Sequence, residues 1–443
     1  MEPDLPAFLE RCAQIREHIL QMKNPHILSH FDCDGLASAS ITTAFLTQHN
    51  IPHTLQIVKK LDAAALSSLS GKKEIIFTDL GSGCREISNL HGDIVVLDHH
   101  QRAGIPHLEA NPYLFGFNGD THISASGVCY FVFKTHVHLG IVGAVGDVQT
   151  PLSSPESLNC LMLQDAENSN AVKKYTGIRL FGRASRPLSQ MLFFADDPYL
   201  PGLSGDEQRC SQFLSTCNIP LKEGERWRTY LDLTQSEQAA LISALAEFLS
   251  KDGSPTKPQQ LLSENYLLLS QPKGSELSDA GEFSTLLNAC GRNNRPQTGI
   301  GVCLGEAGAV QEALSLLALH RKNLRAGIEY AQANLLDFGK FFLLDGRGII
   351  PDGIIGVVAG MLVGRGQKPI LALALDSDSK NTLKLSTRAT KSLVESGLNL
   401  GKILNETTPL LGGVGGGHKI AAGASIPNEK LEEFLLLFAE KLQ

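Results

Sequence analysis

Four apolar segments that each end in acidic or imidazole side chains constrain the fold of this chain more than any other feature. The clearest is Val95–Leu97, which runs directly into Asp98-His99-His100. The others are Ile27–Leu28 before His30-Phe31-Asp32-Cys33-Asp34-Gly35, Ile75–Phe77 before Thr78-Asp79, and Ile141–Val145 before Gly146-Asp147. Short apolar runs of this kind are typical of buried parallel strands, whose carboxyl ends carry the chemistry of α/β sheets. We therefore predict four strands that deliver polar side chains to one edge of a sheet.

The side chains at these ends are suited to divalent cations. They comprise five carboxylates and three imidazoles: Asp32, Asp34, Asp79, Asp98, Asp147, His30, His99 and His100. Because alternate residues of a strand share a face, we expect Asp32 and Asp34 to converge, with Cys33 pointing into the core rather than binding an ion. So many carboxylates in one crevice would repel each other, and a metal pair is the usual remedy. Carboxylate with imidazole suits manganese, and also magnesium or zinc. Asp98-His99-His100 taken alone has another interpretation, in which Asp98 caps the next segment and the imidazoles of His99 and His100 are exposed to solvent.

Strands alternate with helical patterns up to about residue 150, which predicts an α/β fold with a doubly wound parallel sheet. A chain of 443 residues is too long for one ordinary core, so we expect further domains. Residues 151–273 predict a mostly helical connector, and 274–443 return to an α/β pattern with a long helix at about 306–338. Lys251–Gln259, rich in proline, lysine and serine, is the predicted linker.

Composition narrows the function classes. The formal net charge of −7 disfavours non-specific binding of duplex nucleic acid, although a narrow basic channel stays open. Nine cysteines without a C-x-x-C pair indicate reduced thiols rather than a disulfide framework or a structural zinc site. No uncharged apolar run approaches about 18 residues, and the N-terminus lacks the pattern of a secretory leader, so we expect a cytoplasmic protein without a membrane partner.

The order and spacing of the motifs resemble those of the DHH phosphoesterases. The residues that carry this resemblance are Asp32-x-Asp34-Gly35, Thr78-Asp79-x-Gly81, Asp98-His99-His100 and Gly146-Asp147. In the second half, Asn288-Ala289-Cys290-Gly291-Arg292 resembles the RecJ-type Asn-x-x-Gly-Arg motif, and Ser386-Thr387-Arg388 resembles a Ser-x-Arg strand of the family. Gly415–Gly423 resembles the Gly-Gly-His-x-x-Ala-Ala-Gly signature of the DHHA1 domain. The resemblance covers nearly the whole chain and implies a catalytic DHH domain at 1–150 and a DHHA1-type substrate-binding domain at 274–443.

The resemblance also implies a site with two metal ions, which neutralise phosphoryl oxygens and activate a water for hydrolysis. One ion would be held by His30, Asp32 and Asp79. The other would be held by Asp34, Asp79, His99 and Asp147. His100 would bind the scissile phosphate or orient the water, and Asp98 would fix an imidazole tautomer. The catalytic residues are then Asp79, His99, His100 and Asp147, whereas His30 is the ligand at which branches of the family differ.

Substrate binding is assigned by the same resemblance. The glycines before His418 leave a backbone that a phosphate can approach, and Arg388 offers a guanidinium fork. The implied substrate-binding residues are His100, Arg292, Arg388, Gly416, Gly417, His418 and Lys419. An ordinary surface loop is the alternative for the glycine-rich segment. Three arginines at 179, 183 and 186 form either a solvated face or a set that contacts the substrate backbone or orders the motifs.

The resemblance is to archaeal RecJ-like proteins, and it implies a manganese-dependent exonuclease, with magnesium as the alternative ion. The expected substrate is single-stranded DNA, with RNA left open, cut to mononucleotides in DNA repair or replication. Polarity stays open. The alternatives are a phosphodiesterase of oligoribonucleotides or cyclic dinucleotides, and a replisome scaffold related to helicase cofactors. A helicase or replisome partner is implied by resemblance alone.

Overall fold

The computed structural model describes residues 2–195, 198, 200, 202–251, 258–363, 368–377, 379 and 381–442. The chain forms two compact units, Met1–Leu316 and Leu317–Gln443. Within the described residues, no helix combines the length and the low charge that crossing a bilayer requires.

The first unit is built on a five-stranded parallel sheet in the order β2-β1-β3-β4-β5. Its strands are β1 His26–His30, β2 Thr54–Val58, β3 Glu74–Thr78, β4 Asp93–Leu97 and β5 Leu108–Ala110. The predicted parallel sheet is confirmed, because the apolar residues of β1, β3 and β4 are buried. Those three strands end next to the first three predicted motifs, at His30, Thr78 and Leu97.

Six helices accompany this sheet: α1 Leu5–Ile19, α2 Cys33–Gln48, α3 Ala63–Ser68, α4 Ala125–Phe133, α5 Val137–Gly146 and α6 Leu158–Asn168. The helices α1, α2 and α4 contact the strands, and α5 packs against α2 and α4. The predicted strand before Asp147 is wrong, since Ile141–Val145 lies in α5 and Asp147 is the C-cap of that helix. A short apolar run does not separate a strand from a buried helix by its periodicity. Here the helix is favoured because Gly143 permits close packing: a Cβ there would lie 2.0 Å from Oγ of Ser126 in α4.

The strand alternation predicted for Asp32 and Asp34 is also wrong. The strand β1 ends at His30, Asp32 is the N-cap of α2, and Asp34 lies in the first turn of that helix. The Asp32 side chain accepts a hydrogen bond from the backbone N–H of Gly35 at 3.1 Å, which is the usual role of an aspartate at this position. Cys33 is buried as predicted, but it is buried by the first turn of α2 rather than by strand pleating.

The middle of the chain has its own apolar core and contains more strand than predicted. The elements are β6 Val172–Ile178, α7 Leu188–Phe193, α8 Glu207–Thr216, β7 Lys222–Glu223, β8 Arg226–Trp227, α9 Gln235–Lys251 and β9 Leu262–Leu268. The strand β6 was not predicted, and it pairs antiparallel with β9 along its whole length. Of the predicted linker, residues 252–257 lie outside the described residues.

Two more helices complete the first unit, α10 Ala280–Arg292 and α11 Pro296–Leu304, and α12 Ala309–Asn334 contains the boundary between the units. The helix α10 packs against α2 and α5. It is therefore the element that brings the Asn288–Arg292 motif to the parallel sheet.

The second unit contains a six-stranded mixed sheet in the order β10-β11-β12-β13-β15-β14. Its strands are β10 Leu335–Asp337, β11 Phe342–Asp345, β12 Ile370–Leu375, β13 Thr382–Arg388, β14 Val414–Gly417 and β15 Ala421–Pro427. Its helices are α13 Asp352–Leu362, α14 Lys391–Glu395, α15 Leu400–Thr407 and α16 Leu431–Lys441. The chain is thus a mixed α/β protein with an N-terminal parallel sheet, a helical middle and a C-terminal mixed sheet, as predicted.

Candidate functional site

The carboxylates of the first motif are held by helix ends. Asp34 accepts hydrogen bonds from the backbone N–H groups of Ala125 at 2.7 Å and Ser126 at 3.0 Å, at the start of α4. A helix N-terminus favours a carboxylate at this position. Nδ1 of His30, at the end of β1, lies 3.0 Å from Oδ2 of Asp32. The turn from β1 into α2 requires glycine at position 35, because a Cβ there would lie 2.4 Å from the carbonyl oxygen of His30.

Asp79 lies at the centre of the site. It is buried and has a left-handed backbone with φ 58°, which turns its side chain out of the end of β3. Its Oδ2 lies 3.3 Å from Nδ1 of His30, and its Oδ1 lies 3.5 Å from Nε2 of His99. The contact with His30 lacks hydrogen-bond geometry, so Oδ2 has no hydrogen-bond partner among the described residues. The two oxygens of one carboxylate thus face two different imidazoles.

Hydrogen bonds fix both imidazoles that follow β4. Nδ1 of His99 donates to the carbonyl of Gly119 at 2.8 Å, which leaves Nε2 facing Asp79. Nδ1 of His100 donates to Oδ1 of Asp98 at 2.7 Å, so the predicted role of Asp98 in fixing an imidazole is consistent with this contact. Asp98 is fully buried and also accepts from the backbone N–H of Ser82 at 2.9 Å.

Asp147 reaches the same place from the end of α5. Its Oδ2 lies 3.7 Å from Nδ1 of His99. Gln149 is buried and donates through its side-chain amide to Oδ2 of Asp147 and to the carbonyl of Gly119, both at 2.9 Å. Nδ2 of Asn159 donates in turn to Oε1 of Gln149 at 2.9 Å. This chain of bonds was not predicted, because nothing in the spacing of Gln149 or Asn159 marks them.

Three groups of side chains have ligand atoms within 4.8 Å of one another. The groups are His30 with Asp32 and Asp79; Asp34 with His99 and Asp147; and Asp79 with Asp98, His99 and His100. We call their members the carboxylate–imidazole cluster. All eight residues named at the strand ends lie in it. The first group has the same members as one predicted ion set, and the second has those of the other predicted set without Asp79.

Burial and mutual repulsion perturb the acids of this cluster. Burial, with the nearby charge of Asp79, raises the pKa of Asp34, and burial raises the pKa of Asp147. Burial alone would lower the pKa of His30 and of His99, but the surrounding carboxylates raise both well above the usual range. Without a cation, protons must compensate the negative charge. A buried carboxylate oxygen without a hydrogen-bond partner, among oxygen and imidazole donors, fits hard divalent cations.

Part of α10 completes this site. Oδ1 of Asn288 accepts a hydrogen bond from the backbone N–H of Cys33 at 3.0 Å, and so supports the turn between Asp32 and Asp34. A Cβ at Gly291 would lie 1.9 Å from the carbonyl oxygen of Phe31, so glycine is required for this approach. Arg292 lies in the first unit. Burial lowers the pKa of its guanidinium, and the charge of Asp32 offsets only part of that effect.

The remaining predicted substrate residues lie together in the second unit. In the sheet register Arg388 is opposite Ala421, which follows the loop of Gly417, His418 and Lys419. The backbone N–H groups of Leu400 and Gly401, at the start of α15, donate to the carbonyls of Lys419 and His418. A Cβ at Gly416 would meet no atom within 4 Å, so the backbone there is open on that side.

The guanidinium of Arg388 lies against α13. A Cβ at Gly356 would lie 2.6 Å from Nη2 of Arg388, whereas one at Gly360 would be 3.8 Å from the nearest arginine atom. Gly356 therefore makes the room that Arg388 occupies.

Of the three arginines in the middle region, Arg183 and Arg186 are buried. Arg183 donates to both carboxylate oxygens of Asp279, the N-cap of α10, at 2.8 and 2.6 Å. Arg186 lies over the rings of Phe181 and Phe194. Because both side chains are buried, neither belongs to a solvent-exposed surface, which was one of the two predicted alternatives. Arg183 anchors the helix that carries Asn288 and Arg292.

Three family models match the chain. They are the DHH family N-terminal domain at residues 26–163, the DHH-CID domain at 180–262 and the DHHA1 domain at 339–443. A protein of Methanocaldococcus jannaschii, named "Uncharacterized protein MJ0831", is 29% identical over 427 residues, which cover 92% of this chain and 91% of the relative.

Solved structures share the fold. CDC45 from Entamoeba histolytica superposes with a TM-score of 0.65 at 11% identity, covering 98% of this chain and 98% of that chain. Exonuclease RecJ bound to manganese superposes with a TM-score of 0.57 at 14% identity, covering 99% of this chain and 94% of that chain. At these identities the similarity concerns the fold alone.

Proposed function

This chain belongs to the DHH/DHHA1 superfamily, with a RecJ-like set of domains, and on that premise we propose that it is a two-metal exonuclease of single-stranded DNA. Members of this superfamily are metal-dependent phosphoesterases. The proposed cofactor is Mn²⁺, with Mg²⁺ as the alternative, and the proposed products are mononucleotides. The position of Asp79 is the observation that carries the proposal.

Asp79 would serve both metal positions. One of its oxygens faces His30 and the other faces His99, while further carboxylates lie beside each imidazole. We assign His30, Asp32 and Asp79 to one ion, and Asp34, Asp79, His99 and Asp147 to the other. Bound there, the ions would supply charge for the phosphoryl oxygens and lower the pKa of a water. The protein's own part is to hold the seven ligand contacts in place through helix ends and the Gln149 amide.

The surroundings of His100 support a phosphate-binding role. In the metal-free protein the neighbouring charge of Asp98 raises the pKa of its imidazole to about 9. Because Nδ1 donates to Asp98 and 47% of the side chain is exposed, Nε2–H is left to donate outward. A phosphoryl oxygen is a suitable acceptor for this charged donor.

Further cationic groups would hold the strand. Arg292 interacts electrostatically with Asp32 in the first unit. In the second unit Arg388 pairs with Ala421, which follows the segment of Gly416, Gly417, His418 and Lys419. Backbone N–H groups of glycine residues, which no side chain shields, and a guanidinium group with its parallel donors can both donate hydrogen bonds to phosphate oxygens. We propose that these residues bind the nucleotide backbone, which would make the enzyme tolerant of sequence. The proposal also includes cleavage of RNA and a helicase or replisome partner in DNA repair or replication, and it specifies no polarity.

The decisive assay offers the purified protein end-labelled single-stranded DNA, single-stranded RNA and a dinucleotide, each with Mn²⁺, with Mg²⁺ and with chelator. We expect stepwise shortening of the DNA strand with Mn²⁺, and loss of it in Asp79→Ala. Asp93→Ala is the matched control, because Asp93 lies at the start of β4, the end opposite to Asp98. Cleavage of the dinucleotide alone would favour a small-substrate phosphodiesterase, and inactivity of the wild-type protein on all three would favour a scaffold.

A further inference from the structure

The end of α5, beside the cluster, has an unusual residue in a common backbone motif. The backbone N–H of Val148 donates to the carbonyl of Val145 at 3.1 Å, and that of Gln149 donates to the carbonyl of Ala144 at 3.0 Å. These two bonds form a Schellman motif, in which the residue after the C-cap adopts the left-handed conformation. That residue is Val148, with φ 59°. Glycine is the usual choice there, and a β-branched residue is a genuine outlier.

Five other α-helices among the described residues end in the same motif and show what the backbone alone selects. The helices α2, α6, α10, α11 and α14 each make the same pair of hydrogen bonds. The corresponding residues are Asn50, Asn170 and Asn294, with φ of 55°, 56° and 57°, and Gly305 and Gly397, with φ of 74° and 109°. Asparagine tolerates this conformation well. Val148 is the only β-branched residue with positive φ in the described part of the chain.

Burial does not compensate for this strain. Val148 is 80% exposed, the largest exposed fraction among the large hydrophobic residues that the structure describes. The neighbours on both sides are fixed: Asp147 lies in the cluster, and Gln149 is buried in its hydrogen bonds to Gly119, Asp147 and Asn159. The backbone of Val148 is thus fixed between a residue of the cluster and a buried residue that bonds to it, while its side chain is exposed. Neither the backbone conformation nor core packing therefore accounts for a valine at this position, and strained residues of this kind cluster at functional sites.

We propose that Val148 is a substrate-contacting residue, which packs against the sugar or base of the nucleotide whose phosphate lies at the carboxylate–imidazole cluster. This inference rests on the function proposed above and specifies one of its contacts. A stiff, branched apolar side chain can cover the apolar face of a nucleoside and exclude water from the adjacent phosphate. The ligand it recognises is therefore a nucleoside, not a phosphate group alone.

The test compares Val148→Gly and Val148→Asn with the control Asn170→Gly, which changes the same motif at the end of α6. Both Val148 variants relieve the strained backbone, so we expect their melting temperatures to rise by about 2 °C. We expect kcat/KM on single-stranded DNA to fall about tenfold, which corresponds to losing part of the burial of a valine side chain. The control should keep wild-type turnover. Hydrolysis of methyl p-nitrophenyl phosphate, which has no nucleoside, should be unchanged in all variants.

Binding separates this inference from the proposed function. Fluorescence anisotropy with a phosphorothioate oligothymidylate and Mn²⁺ measures affinity without turnover, and calorimetry measures Mn²⁺ affinity. About tenfold weaker oligonucleotide binding in both Val148 variants, with Mn²⁺ affinity unchanged, supports the contact even if the wild-type protein proves inactive. Wild-type DNA cleavage combined with unchanged binding and kcat/KM in the Val148 variants would overturn the contact and leave the nuclease intact. A lower Mn²⁺ affinity in those variants would also overturn it, since Val148 would then act through Asp147.

Discussion

Replacing Gln149 by methionine should weaken Mn²⁺ binding, although Gln149 is not itself a proposed ligand. Its amide nitrogen bonds to Asp147 and to the carbonyl of Gly119 at 2.9 Å each. The same carbonyl accepts from Nδ1 of His99 at 2.8 Å. One buried amide therefore orients two of the proposed ligands, one directly and one through Gly119.

The magnitude follows from these bonds. A hydrogen bond to a charged group contributes about 1.5–3 kcal/mol, and removing a partner that orients a metal ligand changes metal affinity about 10- to 100-fold. Methionine resembles glutamine in volume, but it leaves the amide of Asn159 without the acceptor that it has at 2.9 Å. That unsatisfied group costs roughly 1–3 kcal/mol of folding free energy. We expect both effects in Gln149→Met.

Calorimetric titration of Mn²⁺ and thermal unfolding with and without Mn²⁺ measure the two effects separately. Each tenfold loss of affinity should reduce the stabilisation by saturating Mn²⁺ by about 1.4 kcal/mol. The control is Gln56→Met, because Gln56 lies on the edge strand β2 and its amide donates to Ser68 at 3.2 Å. The control should bind Mn²⁺ like the wild type. Equal Mn²⁺ affinity in the two variants would refute the argument and leave Gln149 a purely structural residue.

Two further predictions concern pH and the second unit. Carboxylates raise the pKa of His30 and of His99 in the metal-free protein. Protons bound to these imidazoles therefore stabilise the metal-free fold at low pH, and this stabilisation is lost as the pH rises. Because Mn²⁺ binds the same nitrogen atoms, it must displace these protons. The Mn²⁺-induced rise in melting temperature should therefore grow as the pH increases above the ordinary pKa of an imidazole, about 6.5, and a shift independent of pH would contradict this. Gly356→Ala should displace the guanidinium of Arg388 and weaken oligonucleotide binding about tenfold, whereas Gly360→Ala, whose Cβ has ordinary contacts, should not; anisotropy with both variants decides it.

The sheet and the membership of the cluster could be predicted because they depend on local sequence. The buried runs of β1, β3 and β4 fix where each strand ends, and parallel strands bring those ends to one edge. The order of the motifs then identifies the members of the cluster. At Asp34 and Asp147 the predicted secondary structure was wrong, but both residues lie in the cluster. The start of one helix and the C-cap of another deliver these carboxylates to the same edge of the sheet.

What the sequence did not predict depends on contacts between distant segments. The strand β6, Val172–Ile178, contains Lys173 and Lys174 and lacks a clean alternation, so its pairing with β9 is visible only in three dimensions. Asn288 supports the backbone of Cys33, which is 255 positions away in the chain. Side chains that orient ligands have no spacing rule of their own, and geometry alone identifies them.

The packing of α5 therefore matters to the cluster as much as the strand ends do. Gly143 in α5 faces Asp34, and a Cβ there would lie 2.4 Å from Oδ1 of that carboxylate and 2.0 Å from Oγ of Ser126. The same helix delivers Asp147 from its C-cap. Asp34 is held by the first N–H groups of α4, so the distance between Asp34 and Asp147 is set by how closely α4 and α5 approach. The small residues that made this segment ambiguous as a strand or a helix are the ones that let two carboxylates approach one proposed cation position.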